Sequence, residues 1–377
     1  MRFSVLLPTR NGGSLIEACI RSVLEQDHVD FELVVSDNAN TDSTQEILRR
    51  FAGDARLKVL RQDQLLPVHE NWTAAFDAAA GDYVLMMGDD DYLLPGSLTA
   101  LDAVLRKYDN PDCVLFNGYS YVAPDAIAGR STSYWAPYHF AYGADFPGEG
   151  AIEHARRKSI VRDMFKFRQR VPLNMQTTLF ARRAAAVVPG GVFQPPFPDH
   201  YLLNALLMSA DQWVYFPNRL VVVGVSSKSF GHYFYSQNAA EGLAYLGIST
   251  DFPAAIPGND LLNGMCLWLM RLKERYRDEL AGIDIDRPGY LIRQTYFWLL
   301  QYRYRRIGTR DLVHRFGMLA IRDWILLIRG AIRPSIFLRL FRSIGVLRKS
   351  HAEALWNNLV PLEGPRDIRE FAQWLDR

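Results

Sequence analysis

The chain has 377 residues, of which 49% are hydrophobic and 22% are charged, and its formal net charge is +2. A globular chain of this length is too long for one simple core, so we expect two domains, or one domain with a large extension. The small net charge excludes a chain-wide basic surface for nucleic acid, and we expect no nucleic-acid partner.

Strand and helix patterns alternate along the first third of the chain. Short apolar runs are typical of buried strands, and apolar residues three and four positions apart are typical of helices. Such alternation predicts βαβ units, and therefore a parallel sheet with helices on both faces. The predicted strands are RFSVLLP, FELVVSD, LKVLRQ and DYVLMMG, and the predicted helices are SLIEACIRSVLEQ, TDSTQEILRRFAG and VHENWTAAFDAAAG.

The alternation continues less regularly to about residue 235. LLPGSLTALDAVLRKY, residues 150–168 and DHYLLNALLMSA are predicted helices, CVLFNGYSYV and RLVVVGVS are predicted strands, and NMQTTLFARRAAAVV is a predicted strand followed by a helix. Residues 123–150, rich in Gly, Pro and aromatic residues, are predicted to be a loop. We therefore predict an α/β fold with a mostly parallel sheet in residues 1–235, and a mainly helical C-terminal region in residues 236–377.

The cysteines and the N-terminus indicate the compartment. Cys19, Cys113 and Cys266 are far apart in the sequence and form no C-x-x-C pair, so neither a disulfide framework nor a zinc site is expected. The first apolar run ends at Pro8, which makes it too short for a secretory leader. No stretch of about eighteen residues is both apolar and uncharged, so no spanning helix is expected. These features predict a cytoplasmic protein.

Three consecutive carboxylates, Asp89–Asp91, follow the apolar run YVLMM and precede a predicted helix. Two carboxylates about 4 Å apart repel by about 1 kcal/mol in water, and by several-fold more in a cleft. The carboxyl end of a parallel strand opens into the ligand crevice, where a cation would relieve this repulsion. Mg²⁺ or Mn²⁺ bridging to a diphosphate would suit these oxygen ligands. The alternative is a solvated turn that caps the following helix.

Polar and glycine-rich segments follow the first two predicted strands. VVSDNANTDST places Asp37, Asn38 and Asp42 after the second strand, where short polar side chains could bind a base or a ribose. The alternative is a loop with a helix N-cap. In LLPTRNGG, Gly12 and Gly13 allow close approach of the backbone to a ligand, but the segment lacks the G-x-G-x-x-G dinucleotide fingerprint.

Together, LLPTRNGGSLIEACIRSVLEQ, ELVVSDNANTDST and YVLMMGDDDYLLPGSL resemble the nucleotide-sugar domain of glycosyltransferase family two, which has the GT-A fold. The resemblance is strong over about residues 1–118, moderate to about 235 and absent beyond. Gly88 stands where the family has the first acid of its DxD motif, which leaves open whether Asp89 takes that role. The resemblance implies that Asp90 and Asp91 are metal-side acids. The nucleotide-sugar residues that it implies are Pro8, Thr9, Arg10, Asn11, Asp37, Asn38, Arg61, Asn71, Asp89 and Asp90.

The resemblance also implies a catalytic base for the acceptor hydroxyl. Family members place an acid after a Gly-Gly-Phe-like stretch and before a helix, and PGGVFQPPFPDHYLLNALL has that form. Asp199 is therefore the candidate base, although Pro198 stands where the family often has Glu. The alternative role for Asp199 is a helix N-cap. His200 could serve as the base instead.

Two further segments carry charged residues beyond these motifs. SSKSFGHYFYSQN follows the last predicted strand, where His232 could ligate the metal or contact the diphosphate, or could be structural. Residues 323–349 contain six basic residues among Leu, Ile and Phe, with Asp323 as the one acid. Such a stretch could lie on an anionic membrane surface, and the alternative is a helical bundle with solvated arginines.

These observations predict an inverting, metal-dependent glycosyltransferase that uses Mg²⁺ or Mn²⁺. We expect a nucleotide-sugar donor, with a UDP-sugar preferred, and a saccharide or lipid-linked saccharide acceptor in bacterial surface-glycan assembly. The expected location is cytoplasmic, with contact to the inner face of the membrane through residues 323–349. A nucleotidyltransferase would want a Gly-rich phosphate loop with more basic residues than Arg10 supplies. A non-catalytic glycan-binding protein is the other alternative.

Overall fold

The computed structural model describes residues 2–28, 30–124, 126, 131–169, 172–229, 243, 247–331 and 359–376. Contacts divide the chain into two compact units. The sheet unit consists of Met1–Val161, Val171–Ile248 and Leu359–Arg377, and the helical unit consists of Arg162–Arg170 and Ser249–Asn358. The predicted boundary at residue 235 lies outside the described residues.

The sheet unit begins with a parallel β–α alternation, as predicted. Its elements are β1 (Phe3–Thr9), α1 (Leu15–Leu24), β2 (Phe31–Asp37), α2 (Thr44–Arg50), β3 (Leu57–Arg61), α3 (Val68–Ala78) and β4 (Tyr83–Met86). β1 lies between β2 and β4, and β3 pairs with β2, all in parallel. Every residue of β2 is buried. Its central apolar run, Leu33–Val35, is typical of a strand covered on both faces.

The sheet then becomes mixed. The next elements are β5 (Tyr92–Leu93), α4 (Ser97–Lys107), β6 (Cys113–Val122), β7 (Ser133–Tyr138), β8 (Gly150–Ala151), α5 (His154–Phe165), β9 (Thr178–Ala181), α6 (Arg182–Ala186), α7 (Pro198–Ser209) and β10 (Trp213–Val225). β10 is parallel to β6, whereas β9 is antiparallel to both β4 and β6. The predicted α/β fold class is confirmed, but β7 and β8 form strands in the segment predicted to be a loop.

The helical unit has four described α-helices of its own: α8 (Asp260–Arg275), α9 (Arg287–Arg303), α10 (Thr309–Gly317) and α11 (Ile321–Ala331). Its core includes the large side chains of Trp268, Tyr290 and Trp298, which are almost completely buried. These three aromatic side chains therefore pack the core of the helical unit. None of the helices in the described ranges is long and apolar enough to cross a membrane.

The last described residues return to the sheet unit, although the sequence placed them in the helical C-terminal region. Strand β11 (Val360–Leu362) pairs antiparallel with β7, and helix α12 (Ile368–Leu375) follows it. Phe371 of α12 is fully buried and stacks on Tyr121 of β6, with ring centroids 5.2 Å apart. The same apolar cluster contains Tyr92 of β5, the residue directly after the acidic cluster. Burying one such aromatic side chain stabilises the fold by about 1.5–3 kcal/mol.

Candidate functional site

The carboxyl ends of three parallel strands lie side by side at one edge of the sheet. In the register of β1, β2 and β3, Thr9 is opposite Asp37, and Asp37 is opposite Arg61. The backbone N–H of Asn38 donates to the carbonyl of Thr9 at 3.1 Å and continues this pairing past the strand ends. In a parallel sheet this edge is where ligands bind. The fold thus brings together residues from three separate segments that were expected to bind the nucleotide-sugar.

The loop after β1 is tied to the loop after β2. Asn11 has a positive φ of 54°, its N–H donates to Asn40 Oδ1, and its own Oδ1 accepts from the N–H of Thr41 at 2.9 Å. The N–H of Gly13 donates to Thr44 Oγ1 at 3.0 Å, at the start of α2. The Asn11 side chain therefore holds the two loops together. This supporting role explains why the chain has Asn at a left-handed position, which Asn tolerates better than most residues.

Two residues that were predicted to contact the nucleobase are hydrogen-bonded to the protein backbone instead. Asp37 is 2% exposed, and its Oδ1 accepts from the N–H of Asn40 at 2.8 Å. Asn38 uses both ends of its amide on the backbone of Leu66, at 2.9 Å from Nδ2 and 2.8 Å to Oδ1. These bonds fix the shape of the loop after β2 and the approach to α3. A base edge that reached Asn38 would compete with them.

The remaining predicted donor residues differ in their exposure. Asn71 of α3 is 4% exposed, and its Oδ1 accepts from Ser36 Oγ at 2.7 Å, so this side chain joins α3 to β2. Arg61, at the end of β3, is exposed. Pro8 and Arg10 are partly exposed on either side of buried Thr9. Of these residues, Arg61 keeps its charge accessible to solvent, whereas Asn71 supports the site from the side of α3.

Asp91 shapes the acidic cluster from within. It is 1% exposed, and its two carboxylate oxygens accept from two backbone N–H groups, those of Gly88 at 2.5 Å and of Gly224 at 3.0 Å. Gly224 lies near the end of β10, so this carboxylate joins β10 to the turn that follows β4. When Asp91 is ionised these bonds are charge-assisted, and they lower its pKa against the effect of burial. Asp91 therefore acts as a clasp for the loop in this structure.

Asp89 and Asp90 are oriented differently. Both are partly exposed, and each accepts from hydroxyl groups on neighbouring strand ends. Asp89 Oδ2 accepts from Thr9 Oγ1 at 3.0 Å, and Asp90 Oδ2 accepts from Ser226 Oγ at 3.0 Å and from Ser229 Oγ. The two carboxylates thus lie between the carboxyl ends of β1 and β10.

Three glycines allow this close packing. A Cβ on Gly224 would lie 1.8 Å from the carbonyl oxygen of Asp90, and one on Gly12 would lie 2.7 Å from Asp89 Oδ2. A Cβ on Gly88 would lie 3.0 Å from Asp91 Oδ2, which folds back over that position. A side chain at residue 88 would therefore require the Asp91 carboxylate to move by a few tenths of an ångström.

The cluster carries more negative charge than its neighbourhood neutralises. Burial, together with the charge of Asp90, raises the pKa of Asp89 to about 7 and that of Asp91 to about 8. Burial also raises the pKa of Asp90, against the hydroxyls of Ser229 and Ser226. Lys228 Nζ lies nearby, but it donates to the carbonyl of Asn11 at 3.0 Å and lies 3.6 Å from Asp42 Oδ2.

The acidic residues can be compared with what a divalent metal ion requires of its ligands. No group of three His, Cys, Asp or Glu side chains could hold a metal ion in the part of the chain that the structure describes. Asp91 is committed to backbone amides, so three acids do not form one cage. Asp89 and Asp90 remain as two partly exposed carboxylates, which is the number of protein ligands that Mg²⁺ commonly takes alongside water and phosphate. A divalent ion bound at these two residues therefore fits the oxygen donors and the charge. His232 lies outside the described residues.

Asp199 lies in the first turn of α7, not at its cap. The helix begins at Pro198, and its N-cap, Phe197, makes no side-chain capping bond. The Asp199 side chain is 27% exposed, and its Oδ2 lies 3.5 Å from Nε2 of His200. The capping alternative is therefore not what this structure shows.

Sequence reasoning did not assign Ser226 or Ser229 to the site. Their signal was the run Ser-Ser-Lys-Ser directly after the last strand of the sheet unit. Small hydroxyl residues at strand ends are common in turns, so the run alone does not separate a turn from a carboxylate partner. The pairing with Asp90 becomes visible only once β10 is placed beside β5 and β6.

Comparison with known proteins agrees with these motifs. Residues 4–168 match the family described as Glycosyl transferase family 2. The chain is 35% identical over 102 residues to the GalNAc(5)-diNAcBac-PP-undecaprenol beta-1,3-glucosyltransferase of Campylobacter jejuni, which is 26% of this chain and 33% of that protein. It is 31% identical over 114 residues to a PGL/p-HBAD biosynthesis glycosyltransferase of Mycobacterium bovis, which is 30% of this chain and 44% of that protein. The chain thus matches less than half the length of these relatives.

The crystal structure of S. aureus TarS 1-349 superposes with a TM-score of 0.47 and 17% sequence identity, and it covers 81% of this chain and 82% of that one. The sequence profile and the relatives named as glycosyltransferases agree with the three motifs of the sheet unit. Over residues 4–168, this chain is similar to glycosyltransferase family 2.

Proposed function

We propose that the protein transfers a sugar from a nucleotide-diphospho-sugar, with a UDP-sugar as the preferred donor, to an acceptor hydroxyl with inversion at the anomeric carbon. The observation that carries this proposal is the placement of Asp89 and Asp90 between the carboxyl ends of β1 and β10. Two partly exposed carboxylates at the ligand-binding edge of a parallel sheet suit a diphosphate held through a cation.

The donor would lie across the ends of β1 and β2. Pro8, Thr9, Arg10 and Asn11 would line the nucleotide pocket, with Asp37 and Asn38 forming its floor. Arg61 supplies exposed positive charge at the end of β3, and Asn71 positions the pocket through its bond to Ser36. In this arrangement the arginines contact the nucleotide or its phosphates, while the amides hold the loops in place.

Asp90 is the first residue that we propose as a metal ligand. Asp89 and Asp90 would hold Mg²⁺ or Mn²⁺, Asp91 would keep their loop in position, and His232 would be a further ligand. Such an ion, when bound, stabilises the negative charge that develops on the departing diphosphate. The two serines that bond Asp90 Oδ2 orient its carboxylate, and Thr9 does the same for Asp89.

Asp199 is the proposed general base. Its carboxylate would accept the proton of the acceptor hydroxyl as that oxygen attacks the anomeric carbon, and the bond to the diphosphate breaks. His200, whose Nε2 lies 3.5 Å from Asp199 Oδ2, would hold the carboxylate in orientation. Because the capping position belongs to Phe197, the Asp199 carboxylate is not needed to begin the helix.

The name of one relative and the basic segment near the C-terminus support the proposed acceptor class. We propose a saccharide or a lipid-linked saccharide in bacterial surface-glycan assembly, since one relative is named for an undecaprenol-linked substrate. The protein would work in the cytoplasm on the inner face of the membrane, with contact through residues 323–349, of which 332–349 lie outside the described part. The basic residues of this segment would attract anionic lipids.

One assay tests the proposal. The protein is incubated with a panel of nucleotide sugars and Mn²⁺, and the released phosphate species are identified by chromatography. Release of nucleoside diphosphate, abolished by a chelator and restored by Mn²⁺, is the expected result. Release of pyrophosphate would instead indicate a nucleotidyltransferase, and glycan binding without turnover would indicate a non-catalytic protein. Either result would overturn the proposed function.

A further inference from the structure

Helix α11 exposes a row of apolar side chains in the helical unit. Ile321 is 81% exposed, Trp324 41%, Ile325 48% and Ile328 63%. Residues three and four positions apart lie on one face of a helix, so these four side chains form one continuous strip, here called the outer stripe. Single exposed apolar residues are ordinary, whereas a contiguous strip marks an interaction surface.

The opposite face of α11 packs on α9, and these contacts orient the outer stripe away from α9. A Cβ on Gly330 would lie 2.6 Å from Cδ1 of Ile292 in α9, which shows how closely the two helices approach. Asp323 pairs with Arg287 of α9, with an oxygen–nitrogen distance of 3.1 Å. These contacts lock the rotation of α11 about its axis. The outer stripe is therefore presented to the surroundings by the packing of the unit itself.

The charge around the outer stripe has one sign. Residues 301–331 contain seven arginines and two aspartates. Both aspartates are engaged within the helical unit: Asp323 pairs with Arg287, and Asp311 Oδ2 accepts from the N–H of Gly308 at 3.0 Å. Arg322 and Arg329, seven positions apart on the same helix, are both exposed beside the outer stripe. Apolar side chains flanked by arginines that have no acidic partner among the described residues match a surface that is both apolar and anionic.

A basic cavity lies earlier in the same unit. It has a volume of about 560 Å³ and is lined by Tyr302, Arg303, Arg305, Arg306 and residues 307–309. All three of these arginines are exposed. Guanidinium groups bind phosphate oxygens in a fork-like geometry, so this cavity suits a phosphate-bearing headgroup.

We propose that the outer stripe, with the arginines beside it and those of the cavity, docks the helical unit on an anionic phospholipid surface. The proposal rests on the proposed function only for the location of its acceptor. The outer stripe and these arginines lie in the described part of the chain, and the segment 332–349 lies outside it. A second copy of the chain is a poorer occupant, because a two-fold interface on the outer stripe would bring Arg322 and Arg329 close to their own copies.

The test uses the full chain and sucrose-loaded vesicles. Co-sedimentation is measured with phosphatidylcholine alone and with added phosphatidylglycerol, at low and high salt. Binding that requires phosphatidylglycerol and weakens with salt is expected. Ile328→Glu should weaken it about tenfold or more, because a charge replaces an aliphatic side chain that enters the lipid. Val187→Glu is the matched control, since Val187 is 74% exposed in the sheet unit.

Several outcomes would overturn the docking proposal. Absence of vesicle binding by the unchanged protein would do so, and so would equal binding by Ile328→Glu and Val187→Glu. Sedimentation that shows a dimer abolished by Ile325→Glu would assign the outer stripe to a second copy instead. Thermal destabilisation by Ile325→Glu with unchanged vesicle binding would mean that part of this chain covers the stripe. Nucleoside diphosphate release measured without vesicles should be the same in Ile328→Glu and in the unchanged protein. If the unchanged protein releases no nucleoside diphosphate, that result overturns the proposed function and not the docking proposal.

Discussion

The backbone N–H of Gly224 donates to Oδ1 of Asp91 at 3.0 Å and thereby joins the end of β10 to the turn after β4. These residues are 133 positions apart in the chain, yet they make one corner of the candidate site. The acidic cluster is consequently held by two strands that are not neighbours in sequence. Its geometry depends on how closely β10 can approach.

Gly224→Ala should damage both the fold and donor binding. The added Cβ would lie 1.8 Å from the carbonyl oxygen of Asp90, so either β10 or the acidic loop must move. Overpacking of this kind costs about 1–3 kcal/mol. Thermal unfolding and titration with UDP measure the two effects. Gly53→Ala is the control, because nothing lies within 4 Å of a Cβ there. Equal behaviour of the two variants would contradict the steric account.

Asp90→Asn and Asp91→Asn should fail in different ways. Asp90 accepts from hydroxyls that can rotate, so its amide variant should keep its stability and lose Mn²⁺ affinity. Asp91 accepts from two backbone N–H groups, and an amide NH₂ would face one of them, at a cost of about 2–3 kcal/mol in unfolding free energy. Calorimetric Mn²⁺ titration and chemical denaturation separate the two. If Asp91→Asn is as stable as the parent protein, the clasp role is wrong.

Stability of the metal-free protein should fall as pH rises. The pKa of Asp89 is raised to about 7 and that of Asp91 to about 8 in the folded protein, by burial and by the charge of Asp90. In the unfolded chain both titrate near about 4. Between about pH 4 and about pH 8 the folded state holds protons that the unfolded state has released, so the free energy of unfolding declines. Thermal unfolding in chelator across this window measures the decline, and a rise would contradict it.

Asp199→Asn should slow transfer and spare the donor. Removing a general base typically lowers the rate by about 10²–10⁴-fold. Donor affinity should stay within about twofold of the parent, since the proposed role concerns the acceptor hydroxyl. Measured kcat and the Kd for UDP provide the comparison, with His200→Gln as a neighbour variant expected to have a smaller effect. An unchanged kcat in Asp199→Asn would remove the base assignment.

Phe371→Ala should destabilise the sheet unit and loosen the acidic loop. The ring is fully buried against Tyr121, and its cluster includes Tyr92, which directly follows Asp91. Large-to-small changes at such a position cost about 3–5 kcal/mol. Trp374→Ala is a useful comparison, because Trp374 is 36% exposed and should cost less. Unfolding midpoints in urea test this ranking, and equal midpoints would contradict it.

The sequence was informative where local pattern and neighbours in space coincide. β1 to β4 and their helices follow from apolar periodicity, because the pattern of each element lies within its own short segment. The gathering of Thr9, Asp37 and Asp89 at one edge follows from the parallel order. The roles of Asn38, Asn71 and Asp91 did not follow, because a polar side chain that holds a loop has the same local pattern as one that binds a ligand.

Other features depended on distant partners. β7 was predicted to be a loop because Gly, Pro and aromatic residues surround it, and its pairing with β6 and β11 outweighs that local composition. The return of β11 and α12 to the sheet unit has no local signal, since their partners lie more than two hundred residues earlier. The bonds of Ser226 and Ser229 to Asp90 belong to the same class.

The return of the last residues also has a kinetic consequence. Ser133 Oγ donates to the carbonyl of Pro365 across a separation of 232 positions, and β11 pairs with β7 over a similar span. Closing a loop of that size carries a large entropic cost before any contact compensates it. β11 and α12 should therefore dock late during refolding, after the parallel strands have formed. Their docking should be the rate-limiting step of the final phase.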